Sequence, residues 1–359
     1  MPGPGTLGGG RRHEVRARVY GEDMEPLRVV VVGAGRMGCE HAEALRLCGD
    51  RVVGVVDTDP ARARAVSRRF EARPGVLAPV GPRPRARPRD REALAAVLEP
   101  YRSEGASAVV VASPTDSHMS DTLTAVDLGF HVLVEKPPWL PGEDPGQLLA
   151  RVASAGSSQV AIGMSTRFNP GIRALYDVVA RGLLGSILAA SDRVAFTLVQ
   201  GDLAEWYLDP AISGGGVVVT NGVHSLDRMA WLLGTRLDLV SSRRSGEYLK
   251  SCDDVAVLEL TAGKTSVQVV QIWSPGPVPP SELVVVGTAG SFWADAAGNW
   301  RLSSLGENGE GQRPAGYQEL VAQWAAFRSL VLDGRRDPAL AAPADLVATM
   351  DLLREAMRP

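Results

Sequence analysis

A chain of 359 residues exceeds one ordinary core and suits two domains of moderate size. Hydrophobic residues at 45% and charged residues at 22% give the balance of a globular protein rather than a disordered one. A formal net charge of −3 argues against a general nucleic-acid binder, which needs a strongly basic face, and no apolar run approaches the roughly 20 residues that span a bilayer.

Residues Met1 to Pro26 are rich in Gly and Arg and lack the apolar segment of a secretory signal, so they read as a disordered leader. The first folded signal is Leu27 to Val32, a β-branched run typical of a strand buried on both faces. A glycine-rich turn and a helix over Cys39 to Cys48 follow. A second strand runs Arg51 to Val56 and stops at Asp57; the next helix opens Asp59-Pro60-Ala61, an N-cap with proline in the first turn. Residues 71–90 carry Arg73-Pro74, Pro82-Arg83-Pro84 and Arg87-Pro88 and read as an inserted surface loop. Helices over Arg91 to Leu98, Ser117 to Leu128 and Gln147 to Ala155 then alternate with strands over Ala108 to Ala112, His131 to Val134 and Gln159 to Gly163. Such alternation predicts a doubly wound parallel sheet over 27–165.

From 166 to 359 the pattern is α+β. Helices are expected over Pro170 to Arg181, His224 to Leu233, Gln318 to Leu332 and Pro343 to Met357. Strands are expected over Ile187 to Val199, Val255 to Thr261, Thr265 to Trp273, Glu282 to Val286 and Ser291 to Ala294. Turns at Ala262-Gly263-Lys264 and Gly287 to Gly290 make neighbours antiparallel, giving an open sheet and a surface for a homodimer or homotetramer.

Gly33-Ala34-Gly35-Arg36-Met37-Gly38 lies between a strand and a helix, and Asp57 ends the second strand about 20 residues on. Gly33 permits the tight turn, Gly35 admits a pyrophosphate, and Gly38 allows close helix–strand packing, while the helix N-terminus offers free N–H groups. Asp57 suits the ribose hydroxyls of NAD and repels the 2′-phosphate of NADP, although Arg62 and Arg64 one turn on soften that preference. Lys136, in Glu135-Lys136-Pro137-Pro138 at the carboxyl edge of the sheet, is placed to stabilise a developing alkoxide. Cys39, Cys48 and Cys252 form no CxxC pair and the five histidines share no helical ligand spacing, so no metal site is expected and the setting is read as reducing and cytoplasmic.

Together with Ser113 to His118, Glu135-Lys136-Pro137, Arg167-Phe168-Asn169-Pro170, Gly182 to Ile187 and Gly214-Gly215-Gly216 leading to His224, the glycine turn resembles the Gfo/Idh/MocA oxidoreductase family. The resemblance spans about Leu27 to Ala294. It implies an NAD(P)-dependent oxidoreductase acting on a sugar, aminosugar or cyclitol, with Lys136 as catalytic lysine and His224 as general acid/base. It also implies cofactor contacts from Arg36, Met37, Ser113, Pro114, Thr115, His118 and Glu135. Arg167, Trp206, Tyr207, Thr220 and Asn221 flank the expected cleft as substrate contacts. The chain departs from the family at Thr220, where an aspartate four residues before the histidine is common; Asp227 is the alternative orienting carboxylate. The resemblance also extends to redox-neutral glycosidases and epimerases that use NAD transiently, and to non-catalytic dinucleotide sensors.

Overall fold

The computed structural model describes residues 25–77, 90–199, 201 and 203–358. All but the last two residues of the expected leader lie outside them, as do residues 78–89 of the Pro/Arg-rich segment.

The first unit is a six-stranded parallel sheet in the order β3-β2-β1-β4-β5-β6. Its strands are β1 (Arg28–Val32), β2 (Arg51–Asp57), β3 (Arg73–Val76), β4 (Ala108–Val111), β5 (His131–Val134) and β6 (Val160–Ile162). Between them run α1 (Arg36–Leu47), α2 (Pro60–Phe70), α3 (Arg91–Ser103), α4 (Thr115–Asp127) and α5 (Gly146–Ser154). The valine run of β1 is buried throughout because both faces are covered. Val30 and Val32 pack with Leu94, Leu98 and Leu123 from one helical layer. Val29 and Val31 point the other way, onto Ala42 and Leu45 of α1. Asp59 and Asp90 cap α2 and α3, each carboxylate accepting two first-turn N–H bonds.

The order β3-β2-β1-β4-β5-β6 reverses direction between β1 and β4, the switch point where ligands bind at the carboxyl ends of strands. β3 falls inside the expected loop. Its sequence, Arg-Pro-Gly-Val, lacks any strand alternation, yet it pairs on one side only, as an edge strand tolerates.

The second unit opens with a one-turn 3-10 segment, Ser165–Phe168, and α6 (Pro170–Ala180). It carries an eight-stranded sheet in the order β14-β13-β12-β11-β7-β10-β9-β8. The strands are β7 (Ile187–Thr197), β8 (Asp238–Ser245), β9 (Val255–Ala262), β10 (Thr265–Ser274), β11 (Glu282–Gly287), β12 (Gly290–Asp295), β13 (Trp300–Ser304) and β14 (Asn308–Gly311). Both expected hairpins form antiparallel pairs, β9–β10 and β11–β12. The one parallel pair is β7–β10, so the sheet is largely antiparallel. Before β8 the chain forms α7 (Pro210–Ser213), α8 (Val217–Thr220) and α9 (Gly222–Leu233). β14, Asn-Gly-Glu-Gly, gave no strand signal; its glycines clear space for the Trp300 ring, since a Cβ at Gly311 would lie 2.4 Å from the indole nitrogen. Among the described residues no helix is long and apolar enough to cross a membrane.

The expected boundary at 165/166 does not partition the cores. The late helix α10 (Glu319–Asp333) returns to the first unit, packing Trp324, Phe327 and Leu330 against the layer that holds Val29, Val31 and Leu45. Asp50, buried at the turn between α1 and β2, anchors it. Its carboxylate accepts from the Leu27 N–H, the Trp324 indole and the Arg328 guanidinium at 2.8, 2.7 and 3.1 Å. A final helix, α11 (Val347–Ala356), packs on α9 and β8.

Removing the Asp50 carboxylate strands two buried donors and a guanidinium. We therefore expect Asp50→Ala to destabilise the protein by about 3–5 kcal/mol, the usual cost of breaking a buried pair. Urea denaturation checks this, and a loss under about 1 kcal/mol would show that α10 is held by its apolar face alone.

Candidate active site

At the end of β1 the chain turns through Gly33, whose φ of +101° is open to glycine; a Cβ there would sit 2.3 Å from the Ala112 carbonyl oxygen. Gly38 is equally constrained from within the helix, because its Cβ would fall 1.8 Å from the Gly33 carbonyl oxygen. Gly35 differs. A Cβ on it meets nothing within 4 Å, and the residue faces a cavity of about 1530 Å³ between the two units. It precedes α1 without a capping side chain, so the first N–H groups remain available to an anion.

Asp57 pins this turn to β2. One carboxylate oxygen accepts from the Ala34 N–H at 2.7 Å and the other from the Asp59 N–H at 2.8 Å. Each oxygen keeps a further acceptor site, and Asp57, Thr58 and Arg62 line the cavity. Arg36, Met37, Ser113, Pro114 and Thr115 line it too, the last at the uncapped N-terminus of α4. An open space at Gly35, free N–H groups at the start of α1 and the Asp57 carboxylate on the same cavity form a set that fits NAD.

Across the cavity lies Lys136, just after β5. Its ammonium donates to the Thr220 carbonyl oxygen at 2.8 Å, reaching from the first unit into α8 of the second. Burial pushes Lys136 below the ordinary lysine value; Glu135 opposes that shift and Arg36 adds to it. Glu135 also lines the cavity. It is buried, accepts a 2.8 Å contact from His41 and a 3.2 Å bond from the Lys136 N–H, and braces the turn from behind. Burial raises its carboxyl, but His41, Lys136 and His118 outweigh that and leave it below the ordinary carboxylate value.

His224 stands in the first turn of α9 and lines the cavity with Lys136. Burial, with the positive charges of Lys136 and Arg228, holds its imidazole well below the ordinary histidine value. Among the described residues, no carboxylate is hydrogen-bonded to its Nδ1. That atom lies 3.3 Å from the Thr166 hydroxyl, a residue sequence reading did not single out because it is 58 positions away. Asp227 does not substitute for the missing aspartate: both its oxygens are taken by Arg167 at 2.6 and 2.7 Å. Arg167 is thereby removed from the substrate wall. It is 3% exposed, stacks over Trp231 and does not line the cavity.

The remaining expected contacts are at the cavity. Trp206 and Tyr207 stack with ring centroids 3.8 Å apart, and Thr220 and Asn221 line the wall beside His224. Two further wall residues, Asp192 and Arg228, are hydrogen-bonded to one another. Arg228 was detectable as the residue one helical turn beyond His224, and Asp192 as a charge on the inward face of β7. His118 lines the cavity, but both its ring nitrogens face main-chain carbonyls. Among the described residues no group of three or more His, Cys, Asp or Glu is placed to hold a metal ion.

A two-unit architecture with a glycine turn at the switch point defines a dinucleotide-binding class, and comparison with known proteins gives the family. Residues 27–163 match the oxidoreductase family with an NAD-binding Rossmann fold, and 172–293 match the GFO/IDH/MocA C-terminal domain. The chain belongs to the GFO/IDH/MocA family and carries its NAD-binding domain. Inositol 2-dehydrogenase 1 of Saccharopolyspora erythraea is 29% identical over 67% of this chain and 65% of its own. Inositol 2-dehydrogenase of Pseudarthrobacter chlorophenolicus is 31% identical over 46% of this chain and 44% of its own. The chain spans about half the length of several of the curated relatives it matches. The structure of GenD2 from gentamicin A biosynthesis, solved with NAD, is 25% identical, with a TM-score of 0.74 and 94% of each chain covered.

The glycines give a paired test. Gly35→Ala should fold normally and bind NAD at least tenfold more weakly, its methyl occupying the open space. Gly38→Ala should lose the turn itself, seen as a lowered melting temperature. Equal thermal loss in both variants would contradict the assignment of the open space to a ligand.

Proposed function

We propose that the chain transfers a hydride between NAD and a secondary alcohol or ketone carbon of a sugar, aminosugar or cyclitol, with Lys136 and His224 at the reacting oxygen. The observation that carries this reading is that a lysine from one unit and a histidine from the other line the same cavity as the glycine turn. The names of the relatives support the substrate class.

When bound, NAD supplies the hydride acceptor, or in its reduced form the donor. The chain's own residues handle the oxygen. With Nδ1 directed at Thr166, the neutral His224 ring presents Nε2 to the substrate hydroxyl and accepts its proton. Lys136, fixed by the Thr220 carbonyl, donates to the same oxygen as alkoxide character develops. In the reverse direction the proton returns to oxygen as the carbonyl is reduced. Trp206 and Tyr207 offer apolar faces for a ring, and Asn221 a polar contact for a neighbouring hydroxyl. Asp57, facing the cavity beside Thr58, supports NAD over NADP. Leu188, Val240, Val286 and Trp293, exposed on the second sheet, support a homo-oligomer formed through it.

Purified protein, NAD and a panel of sugars, aminosugars and cyclitols test the reading through absorbance of reduced nicotinamide, with product mass analysis alongside. Reduced cofactor accumulating with one substrate is the expected result. Product without reduced cofactor would instead identify a redox-neutral enzyme, and neither signal despite NAD binding would favour a sensor.

Lys136→Ala should keep NAD affinity and lower turnover by on the order of a hundredfold or more; wild-type turnover would remove the lysine from the chemistry. The pH profile gives a second check. Because the folded environment lowers His224, its proton-accepting form persists into the acid range, so the acid limb of kcat/KM for alcohol oxidation should lie well below the pH of an ordinary histidine. Thr220→Asp restores a carboxylate, raises the imidazole and should move that limb to higher pH. An unmoved limb would assign it to another group.

A further inference from the structure

His118 is buried, at 2% exposed, in the first turn of α4. Its Nδ1 lies 2.7 Å from the Pro137 carbonyl oxygen and its Nε2 2.7 Å from the Ser113 carbonyl oxygen. Carbonyl oxygens only accept. A neutral imidazole has one N–H and one lone pair, so either tautomer would set a lone pair against one of these oxygens at hydrogen-bond distance. Rotating the ring by half a turn replaces both nitrogens with carbons and loses both bonds. The ring that satisfies both partners carries two protons and donates twice.

The two carbonyls belong to the two segments that build the site. Ser113 lies in the turn between β4 and α4 that lines the cofactor half of the cavity, and Pro137 follows Lys136 directly. We propose that His118 is a positioning residue, a doubly protonated imidazole whose two N–H groups tie the cofactor turn at Ser113 to the lysine turn at Pro137. Its surroundings suit a cation. Asp116 and Asp121 lie buried on the same helix, with Asp121 accepting from the Ser113 hydroxyl at 2.7 Å, and Glu135 is buried on the segment that carries Pro137. Lys136 is the positive group opposing it, and Glu143 faces Asp116 from the segment after Pro138. The tie leaves no ring nitrogen for the cofactor, which assigns His118 to holding the walls rather than to touching the ligand.

The function of the tie rests on the proposed role of Lys136, but its protonation is measured without any turnover. Ring-nitrogen NMR of histidine-labelled protein near neutral pH should show one buried imidazole with both nitrogens protonated, absent from His118→Gln. If the His118 variants do not fold, the signal is assigned by removing the other histidines one at a time. A one-protonated, one-bare pattern for His118 would overturn the proposal. His118→Phe, which keeps the ring and removes both donors, should weaken NAD binding about tenfold by calorimetry; wild-type affinity would also overturn it. Failure of the sugar assay with the two-proton signature present would count against the hydride-transfer reading alone.

Discussion

The bond from the Lys136 ammonium to the Thr220 carbonyl oxygen sets the relation between the two halves of the site. The lysine is delivered by a parallel sheet and the carbonyl by a short helix of another unit, 84 residues later. Because the acceptor is main chain, the contact survives a change of the Thr220 side chain, which explains how a threonine can occupy the position where an aspartate is common without displacing the lysine. What that change does alter is the histidine beside it, which is left with a hydroxyl neighbour and two cations instead of a carboxylate.

Carboxylates in this molecule mostly hold backbone and cations in place. Asp57 staples the glycine turn, Glu135 braces the lysine turn through His41, Asp227 saturates Arg167, and Asp50 gathers the α10 helix. Asp57, Glu135 and Asp227 read as candidate ligands or orienting groups from sequence. Burial with several donors removes that freedom from Asp50 and Asp227, whereas Asp57 and Glu135 line the cavity with one accepted bond on each oxygen.

Local patterns made much of the first unit legible. The valine run, the glycine turn and Asp57 lie within one βαβ stretch, so spacing alone placed them together. Lys136 and His224, singled out through family resemblance, line one cavity. The approach of Thr166 to His224 and the pairing of Asp192 with Arg228 were not legible in the sequence, because tertiary packing over tens of residues brings them together. Arg167 was misread for the same reason: a guanidinium next to a cleft looks like a substrate contact until a buried partner, Asp227, is known. The edge strands β8 and β14 escaped notice because polar residues and glycine there lack the alternation that marks half-buried strands, and β13 is a short five-residue strand with a single buried position, Leu302.

The late return of α10 has a consequence for how the molecule comes into being. Leu27, Val29, Val31 and Leu45 emerge early during synthesis, yet the aromatic residues that cover this layer, Trp324 and Phe327, belong to a helix near the chain's end. Asp50 waits for a guanidinium 278 residues downstream. The dinucleotide-binding half therefore leaves the ribosome with one apolar flank uncovered and one acid unpaired. It reaches its final packing only after the whole second sheet has been made, so a nascent chain stalled before α10 exposes a sticky face to chaperones or to other chains.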